Sequence, residues 1–271
     1  LHELRRLDDP AALAESGNRG MTGSALVLAG TRPGGDPLAR ELGVAHKGLI
    51  DIAGTPILER VVLALRAAGM SRVLVSADDP AVVALAKKLG AEICPPASGP
   101  SESVAAAFER TGAPLVVTTA DHALLDPAWV TELIARTPAG ADLSIMMARR
   151  QDIERALPGT QRTYLRFADG EWSGCNLFYL ASSRASAALA TWRAVEADRK
   201  RPWKLVARLG LPNLVAYALG RLTLEDGLAR LGRRIGVNAA LVRASDGRAA
   251  IDVDKPRDLD DVLSLIARKI P

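Results

Sequence analysis

Four short apolar runs recur along the first half of the chain, and each is followed by a longer segment with helical spacing. The runs are ALVLA (25–29), RVLVS (72–76), PLVVTTA (114–120) and LSIMMA (143–148). They are apolar almost throughout and do not alternate with polar residues, which is typical of strands buried on both faces of a parallel sheet. The pattern therefore predicts four buried parallel strands.

The segments that follow these runs carry helix start and stop signals. They are PILERVVLALRAAG (56–69), DPAVVALAKKLG (79–90), SESVAAAFERTG (101–112) and DPAWVTELIART (126–137). They open on Pro, Asp-Pro or Ser, and three of the four close on Gly, as helices commonly do. Alternating strands and helices predict an α/β fold with a three-layer, doubly wound, mostly parallel sheet, Rossmann-like in architecture.

The later part of the chain is less regular. Residues 149–180 predict strands around an Asp-Gly turn, and residues 181–235 predict helices. The stretch AAIDVDKPRDLDDVLSLIARK (249–269) predicts a short last strand, a Pro turn and a closing helix.

No repeat or low-complexity linker divides the chain. We therefore interpret residues 21–271 as one domain and residues 1–20 as an N-terminal extension. Within that domain, residues 181–248 are interpreted as a helical insert before the last strand.

Composition excludes several classes of protein. The chain has 271 residues, of which 48% are hydrophobic and 24% charged, as in an ordinary globular protein. Its net charge of +4 suits anionic small molecules and is too small to indicate nucleic-acid binding. Two isolated cysteines and three histidines predict neither a disulfide framework nor a zinc site. We expect a cytoplasmic protein, because neither a secretory signal nor a long apolar span is visible.

The loop GTRPGG, residues 30–35, follows the first predicted strand, where open α/β sheets bind their ligands. Its glycine spacing matches neither the dinucleotide fingerprint nor the P-loop. Taken alone, the loop is explained equally well as a solvent-exposed turn.

Four stretches in order change that interpretation. They are LVLAGTR with KGLIDIAGTPILERVVLAL, then PASGPSESVAAAF, LVVTTADHALLDPAWVTELI and AIDVDKPRDLDDV. Together they resemble the nucleotidyltransferase superfamily with a glycosyltransferase-A-like fold, which includes sugar-phosphate nucleotidyltransferases and MobA-like NTP transferases. The resemblance covers residues 25–148 and 249–267. It implies fold and reaction class more specifically than it implies a substrate.

The resemblance implies a set of nucleotide-site residues. The catalytic residues would be Lys47, Asp121 and Arg32, with Arg40 as the alternative to Arg32. Backbone amides of a glycine loop can surround phosphates, and a lysine adds a mobile positive charge. The nucleotide-binding residues would be Leu28, Ala29, Gly30, Thr31, Gly34, Gly35, Lys47, Ser98, Gly99 and Ser103.

Magnesium is the implied cofactor, because Mg²⁺ binds one or two carboxylates together with phosphate oxygens and water. Asp121, at the end of a predicted strand, would be one ligand and Asp252 or Asp254 the other. In a strand these last two would point to opposite faces, so only one would face the metal. We prefer Asp252 from its position in the family element. His122 is interpreted as a packing neighbour.

Acceptor binding is assigned to Asn176 and to a basic, Trp-containing segment, residues 184–208. This segment belongs to the helical insert 181–248, which is therefore interpreted as lying on the acceptor side of the site. Asn176 resembles an acceptor- or ribose-contacting position, although a turn Asn explains it equally well. From the segment we assign Arg199, Arg201 and Lys204 to the acceptor. The alternatives are a solvated helix face or a weak contact with an anionic membrane surface.

The implied reaction transfers an NMP group from an NTP, with CTP or GTP favoured, to a phosphorylated small-molecule acceptor. It depends on magnesium and releases pyrophosphate. One alternative is a glycosyltransferase of the same fold, although TADHA lacks the second Asp of a D-x-D motif. Another is a nucleotide-binding regulatory domain without activity.

Overall fold

The computed structural model describes residues 23–31, 34–197 and 211–267. Its strands are β1 (Gly23–Leu28), β2 (Asp51–Ile52), β3 (Thr55–Pro56), β4 (Met70–Ser76), β5 (Glu92–Cys94), β6 (Leu115–Thr119), β7 (Leu143–Arg149), β8 (Leu165–Phe167), β9 (Gly170–Leu180) and β10 (Ala239–Arg243). Its α-helices are α1 (Pro37–Glu41), α2 (Ile57–Ala67), α3 (Pro80–Lys88), α4 (Pro100–Thr111), α5 (Pro127–Ala135), α6 (Arg150–Ala156), α7 (Ser186–Ala197), α8 (Leu211–Ala218), α9 (Leu224–Arg234) and α10 (Pro256–Ala267). None of these helices is long and apolar enough to cross a bilayer.

One mixed sheet forms the centre of the molecule, with strand order β10-β7-β9-β6-β1-β4-β5 and β8 paired to β9. The short strands β2 and β3 form a separate antiparallel pair. Strand β1 pairs in parallel with β4 on one side and with β6 on the other, whereas β9 runs antiparallel between β6 and β7. The predicted doubly wound, mostly parallel α/β fold is confirmed.

The strand order places a topological switch point at β1. The chain runs from β1 outward to β4 and β5, and then returns across β1 to form β6. The loops that follow β1 and β6 therefore diverge at the carboxyl edge of the sheet, where open α/β sheets form a ligand crevice.

Two apolar layers cover the sheet. Ala25 and Val27 of β1 pack on the side of α2 and α5, and Leu26 packs on the side of α4 and α7. All three residues are fully buried. Side chains of a strand alternate between its faces, so an uninterrupted apolar run is needed to fill both layers.

Aspartate caps start three of the helices at this edge. Asp36, Asp79 and Asp126 accept hydrogen bonds from the first backbone amides of α1, α3 and α5, and each precedes a proline. The carboxylate satisfies amides that lack an intrahelical partner, and proline suits the first helical turn. The Asp-Pro signals in the sequence therefore have a direct structural cause.

The hairpin predicted around the Asp-Gly turn at 169–170 is present as β8 and β9. In the described part of 181–235, the predicted helices correspond to α7, α8 and α9. Helix α6 was not predicted.

The prediction for the last strand was wrong. Residues 251–254 form no strand, and among the described residues the last strand is β10, inside the stretch interpreted as a helical insert. A short 3₁₀ helix, Gly247–Ala250, immediately precedes residues 251–254, and the Asp246 side chain caps it. Gly247 lies so close to α6 that a Cβ would stand 2.2 Å from the Asp152 carbonyl oxygen. Only glycine fits at this position, because any side chain would overlap the backbone of α6.

Candidate active site

Lys47 is positioned by a 3₁₀ turn, Lys47–Leu49, that lies against the end of β6. His46 caps the turn, because its Nδ1 accepts a hydrogen bond of 2.9 Å from the Gly48 amide. Burial and the adjacent Lys47 charge lower the pKa of His46, which favours the neutral ring that can accept this bond. A Cβ on Gly48 would lie 3.1 Å from His46 Nδ1 and 3.4 Å from Ala120 Cβ. The glycine therefore allows the turn to approach the strand closely.

The Lys47 ammonium joins the carboxylates of two distant segments. Its Nζ lies 2.6 Å from Asp121 Oδ2 and donates a hydrogen bond to Asp254 Oδ1. Asp36 Oδ2 is 3.8 Å away. Burial opposes the charge on Lys47, but the carboxylates of Asp121 and Asp254 outweigh it and raise the pKa of the ammonium. Lys47 is therefore a buried cation neutralised by aspartates.

Asp121 follows β6 directly at the switch point. The Thr119 hydroxyl donates to Asp121 Oδ1, so both carboxylate oxygens have partners. Burial opposes ionisation of Asp121, but the Lys47 charge and these hydrogen bonds lower its pKa overall. Next to it, His122 is buried and stacks on Trp129 with ring centroids 5.9 Å apart. This geometry agrees with the interpretation of His122 as a packing neighbour.

Asp252 and Asp254 have different partners. A backbone hydrogen bond of 3.0 Å from the Val253 amide to the Asp121 carbonyl brings their segment beside Asp121. Asp254 faces Lys47, whereas Asp252 is bound by Arg162 and by Asn176, whose Nδ2 lies 2.8 Å from Asp252 Oδ2. The preference for Asp252 as the metal ligand stays a prediction, and Asp254 is the carboxylate that lies beside Lys47 and Asp121.

Asn176 is aimed at Asp252 by a bulge in β9. The register with β7 shifts between Ile145 and Met147, and Asn176 has a φ of 50°, in the left-handed region. Asn is among the residues that tolerate this conformation best, and bulges redirect side chains at functional sites. The structure thus brings Asn176 to the same end of the sheet as Asp121.

The glycine loop lies beside Lys47. Leu28 ends β1, Ala29 is buried and the Thr31 amide donates to Asp78 Oδ1 at 3.2 Å. Gly34 and Gly35 both have positive φ values, which only glycine adopts readily. Gly30, Thr31, Asp36, His46 and Lys47 line a cleft of about 30 Å³. That volume suits a single water and not a triphosphate, so a nucleotide would lie across the open edge of the sheet.

Of the two candidate loop arginines, Arg32 lies outside the described residues. Arg40 is exposed on α1, and its Nε is 3.9 Å from the position of a Cβ on Gly35. The choice between them stays open.

The stretch PASGPSESVAAAF, residues 96–108, is held by its own side chains. The Ser103 hydroxyl donates to the Gly99 carbonyl and accepts from the Ala97 amide, both at 2.9 Å. The Ser98 hydroxyl donates to Glu102. Ser103 thus fixes the turn before α4, and Gly99 begins that helix as its N-cap.

Arg199, Arg201 and Lys204, the basic residues assigned to the acceptor, lie outside the described residues. Arg162, which sequence reasoning missed, is the basic side chain next to Asp252 and Asn176. No motif marked it, since it lies on a loop between α6 and β8. Asp36 was also missed as a neighbour of Lys47, although its Asp-Pro cap signal was visible.

Two carboxylates converge at a point suited to a magnesium ion. Asp121 and Asp254 bind the same ammonium, so an ion in its place could reach an oxygen of each. Among the described residues, no group of three or more His, Cys, Asp or Glu side chains is arranged so that it could hold a metal ion by itself. With nucleotides, Mg²⁺ binds one or two protein carboxylates, and phosphate oxygens and water complete its ligands. The residues therefore fit the ion.

A larger cavity, of about 320 Å³, lies behind the turn that follows Asp121, between α2, α5 and α10. Leu124, Trp129 and Leu265 contribute apolar walls, and Arg60 and Arg248 contribute guanidinium groups. None of the residues that hold Lys47 lines it. We therefore place the candidate active site where the carboxylates converge and not at this larger cavity.

Comparison with known proteins found relatives of this chain. Two 3-deoxy-manno-octulosonate cytidylyltransferases of Actinobacillus pleuropneumoniae, from serotypes 5b and 7, are each 43% identical over 49 residues. That alignment covers 18% of this chain and 20% of the length of those curated relatives.

Solved structures match over most of the chain. A hypothetical transferase from Thermus thermophilus is 33% identical with a TM-score of 0.76, covering 88% of this chain and 100% of that one. A CMP:2-keto-3-deoxy-manno-octonic acid synthetase complexed with CTP has 17% identity and a TM-score of 0.58. A nucleotidyl transferase from Methanothermobacter has 18% identity and a TM-score of 0.57; both comparisons cover 92% of this chain and 100% of the other. These two show the shared fold alone.

A family model described as the MobA-like NTP transferase domain matches residues 25–235, which include the glycine loop, Lys47, Asp121 and Asn176. With the shared fold, this match shows that the chain belongs to the MobA-like NTP transferase family, within the nucleotidyltransferase superfamily.

Proposed function

We propose that this protein transfers an NMP group from an NTP to a phosphorylated small-molecule acceptor and releases pyrophosphate. The observation that carries the proposal is the convergence of Lys47, Asp121 and Asp254 beside the glycine loop, at the switch point of the sheet. A catalytically dead regulatory domain would have no need to keep a buried lysine between two aspartates.

The reaction needs positioning and charge neutralisation more than proton transfer. An anionic oxygen of the acceptor attacks the α-phosphorus, a P–O bond forms, and the bond from that phosphorus to the bridging oxygen of pyrophosphate breaks. A phosphate acceptor is already ionised at neutral pH, so no general base is required. Lys47 neutralises charge on the triphosphate, the kind of electrostatic stabilisation that dominates phosphoryl transfer.

Magnesium is the proposed cofactor, held by Asp121 and Asp254. When bound, it would neutralise triphosphate charge and orient the phosphates. Lys47 would then leave the two carboxylates and bind the triphosphate. Asp252 is not proposed as a ligand, because Arg162 and Asn176 bind its two oxygens.

CTP is the first nucleotide to test, with GTP the alternative. The support comes from relatives, since the curated ones are cytidylyltransferases and a structure of the same fold was solved with CTP. For the acceptor, Asn176 lies beside Asp252, and Arg199, Arg201 and Lys204 stay predicted contacts.

Pyrophosphate release from purified protein tests the proposal. Each of the four NTPs is combined with Mg²⁺ and a panel of sugar phosphates and polyol phosphates, with 3-deoxy sugar acids as the acceptors that lack a phosphate. We expect release with one preferred NTP, dependent on both acceptor and Mg²⁺, and lost in Asp121→Asn. The proposal would be contradicted by pyrophosphate release that persists in Asp121→Asn. It would also be contradicted if no combination gave release and the protein bound no NTP.

A further inference from the structure

The segment that carries Asp252 and Asp254 has little support from the sheet. Residues 251–254 belong to no strand, and the Val253 amide joins them to Asp121 by one backbone hydrogen bond. Asp258 accepts hydrogen bonds from the amides of Asp254 and Lys255, at 3.0 and 2.8 Å. The place of Asp254 opposite Asp121 therefore depends on side chains that hold this segment from outside.

Arg162 contacts this segment at Asp252 and also approaches Asp258, the residue that caps it. Its Nη2 donates to Asp252 Oδ1, and its Nη1 lies 3.3 Å from the Asp252 carbonyl oxygen and 3.9 Å from Asp258 Oδ1. The Arg162 side chain is only 10% exposed. A second arginine ties the same two parts of the chain, because Arg257 Nη2 donates to the Gly159 carbonyl at 2.6 Å.

Charge makes this contact more than a surface ion pair. The contact joins two largely buried side chains, because the Arg162 side chain is 10% exposed and the Asp252 side chain 15%. A buried charge that loses its partner is strongly destabilising, unlike an exposed pair. Without Arg162, the largely buried Asp252 carboxylate would lose its cationic partner, which favours movement of its segment.

We infer that Arg162 is a positioning residue, which fixes the segment 252–258 and thereby holds Asp254 against Asp121 and Lys47. The inference rests on the proposed function for its catalytic meaning. Arg162 acts through Asp252 and need not touch the substrate. Partners in the outer shell of a metal site typically change metal affinity by about 10- to 100-fold when they are removed.

The first experiment measures the backbone directly and does not depend on any ligand. Hydrogen exchange of a peptide spanning 251–258 is compared in wild type, Arg162→Gln, Arg162→Lys and Arg166→Gln. Arg166 is the matched control, because it pairs with Glu171 but its side chain is 80% exposed. We expect faster exchange at Val253, Asp254 and Lys255 in Arg162→Gln, a smaller effect in Arg162→Lys, and none in Arg166→Gln. Unchanged protection in Arg162→Gln would overturn the inference.

The second experiment uses Mn²⁺ alone as the probe, followed by electron paramagnetic resonance. We expect Arg162→Gln to bind Mn²⁺ at least about tenfold more weakly than wild type. Addition of guanidinium ion at a non-denaturing concentration should restore part of this affinity. Arg166→Gln should bind Mn²⁺ as wild type does. Wild-type affinity in a folded Arg162→Gln would overturn the inference. If wild type itself binds no Mn²⁺, the proposed metal site fails, and the hydrogen-exchange result still decides the role of Arg162. If Arg162→Gln does not fold, Arg162→Lys is compared with wild type in both measurements.

Discussion

At the scale of single residues, the Lys47 ammonium lies where the carboxylates of Asp121 and Asp254 meet. The same side chain is proposed to bind the triphosphate, and it cannot do both at once. Removing its charge should therefore have opposite effects on two measurable quantities.

Lys47→Gln should lower the rate of pyrophosphate release by at least about a hundredfold, because charge neutralisation is the main catalytic contribution in phosphoryl transfer. The same variant should bind Mn²⁺ more tightly than wild type in the absence of nucleotide, because the competing cation is gone. Lys88→Gln, an exposed lysine on α3, is the matched control. Weaker Mn²⁺ binding in Lys47→Gln would contradict competition between the ammonium and the metal.

The two aspartates of the last segment should differ in importance. Asp254→Asn should remove Mn²⁺ binding and magnesium-dependent turnover. The reason is that Asp254 and Asp121 both contact Lys47 Nζ, which occupies the position proposed for the metal. Asp252→Asn should weaken Mn²⁺ binding by about tenfold through the loss of its Arg162 contact. Asp260→Asn, exposed on α10, serves as the control. The reverse order of severity would restore Asp252 as the ligand.

At the scale of secondary-structure elements, the 3₁₀ turn Lys47–Leu49 depends on close contact with the end of β6. A Cβ at Gly48 would come 3.1 Å from His46 Nδ1 and 3.4 Å from Ala120 Cβ. The backbone φ of Gly48 is not in the left-handed region, so space alone sets the cost.

Gly48→Ala should lower the free energy of unfolding by about 1 to 3 kcal/mol, the usual cost of overpacking. It should also slow turnover, because the turn that carries Lys47 must shift. Gly174→Ala is the control, since its new Cβ would meet Met147 Sδ at an ordinary 3.8 Å. Urea denaturation and pyrophosphate release on both variants check this, and equal effects of the two substitutions would contradict it.

At the scale of the whole molecule, buried histidine links stability to pH. Burial lowers the pKa of His122 to about 4, from an ordinary value of 6.5. Between these pH values the unfolded chain takes up a proton that the folded protein excludes, so stability falls as the pH falls. Burial also lowers the pKa of His46 and adds to the same trend.

We expect the free energy of unfolding to decrease from pH 7 to pH 4, with His122 contributing on the order of 3 kcal/mol. In His122→Gln this decrease should be smaller, because the variant side chain takes up no proton in either state. The contribution of Asp121, whose pKa is lowered, is lost only below about pH 4, outside this range. Urea denaturation at pH 7, 5.5 and 4 measures the difference, and parallel curves for the two proteins would contradict the role of His122.

Local sequence determined the parts of the fold that depend on local chemistry. Uninterrupted apolar runs must be buried on both faces, and Asp-Pro and Gly signals satisfy or terminate helix ends, so the parallel strands and their helices were predictable. The family resemblance of the sequence added Lys47, Asp121 and the Asp252 or Asp254 pair as candidate site residues.

Only the tertiary structure decided which distant residues meet. Arg162 and Asp252 are 90 positions apart in the chain, and no local pattern indicates that a loop arginine will reach that aspartate. The different partners of Asp252 and Asp254 are also set by tertiary contacts, because Asp254 meets Lys47 whereas Asp252 meets Arg162 and Asn176. Helix caps and strand burial are set within a few residues, whereas the pairing of buried charges is set by how whole elements pack.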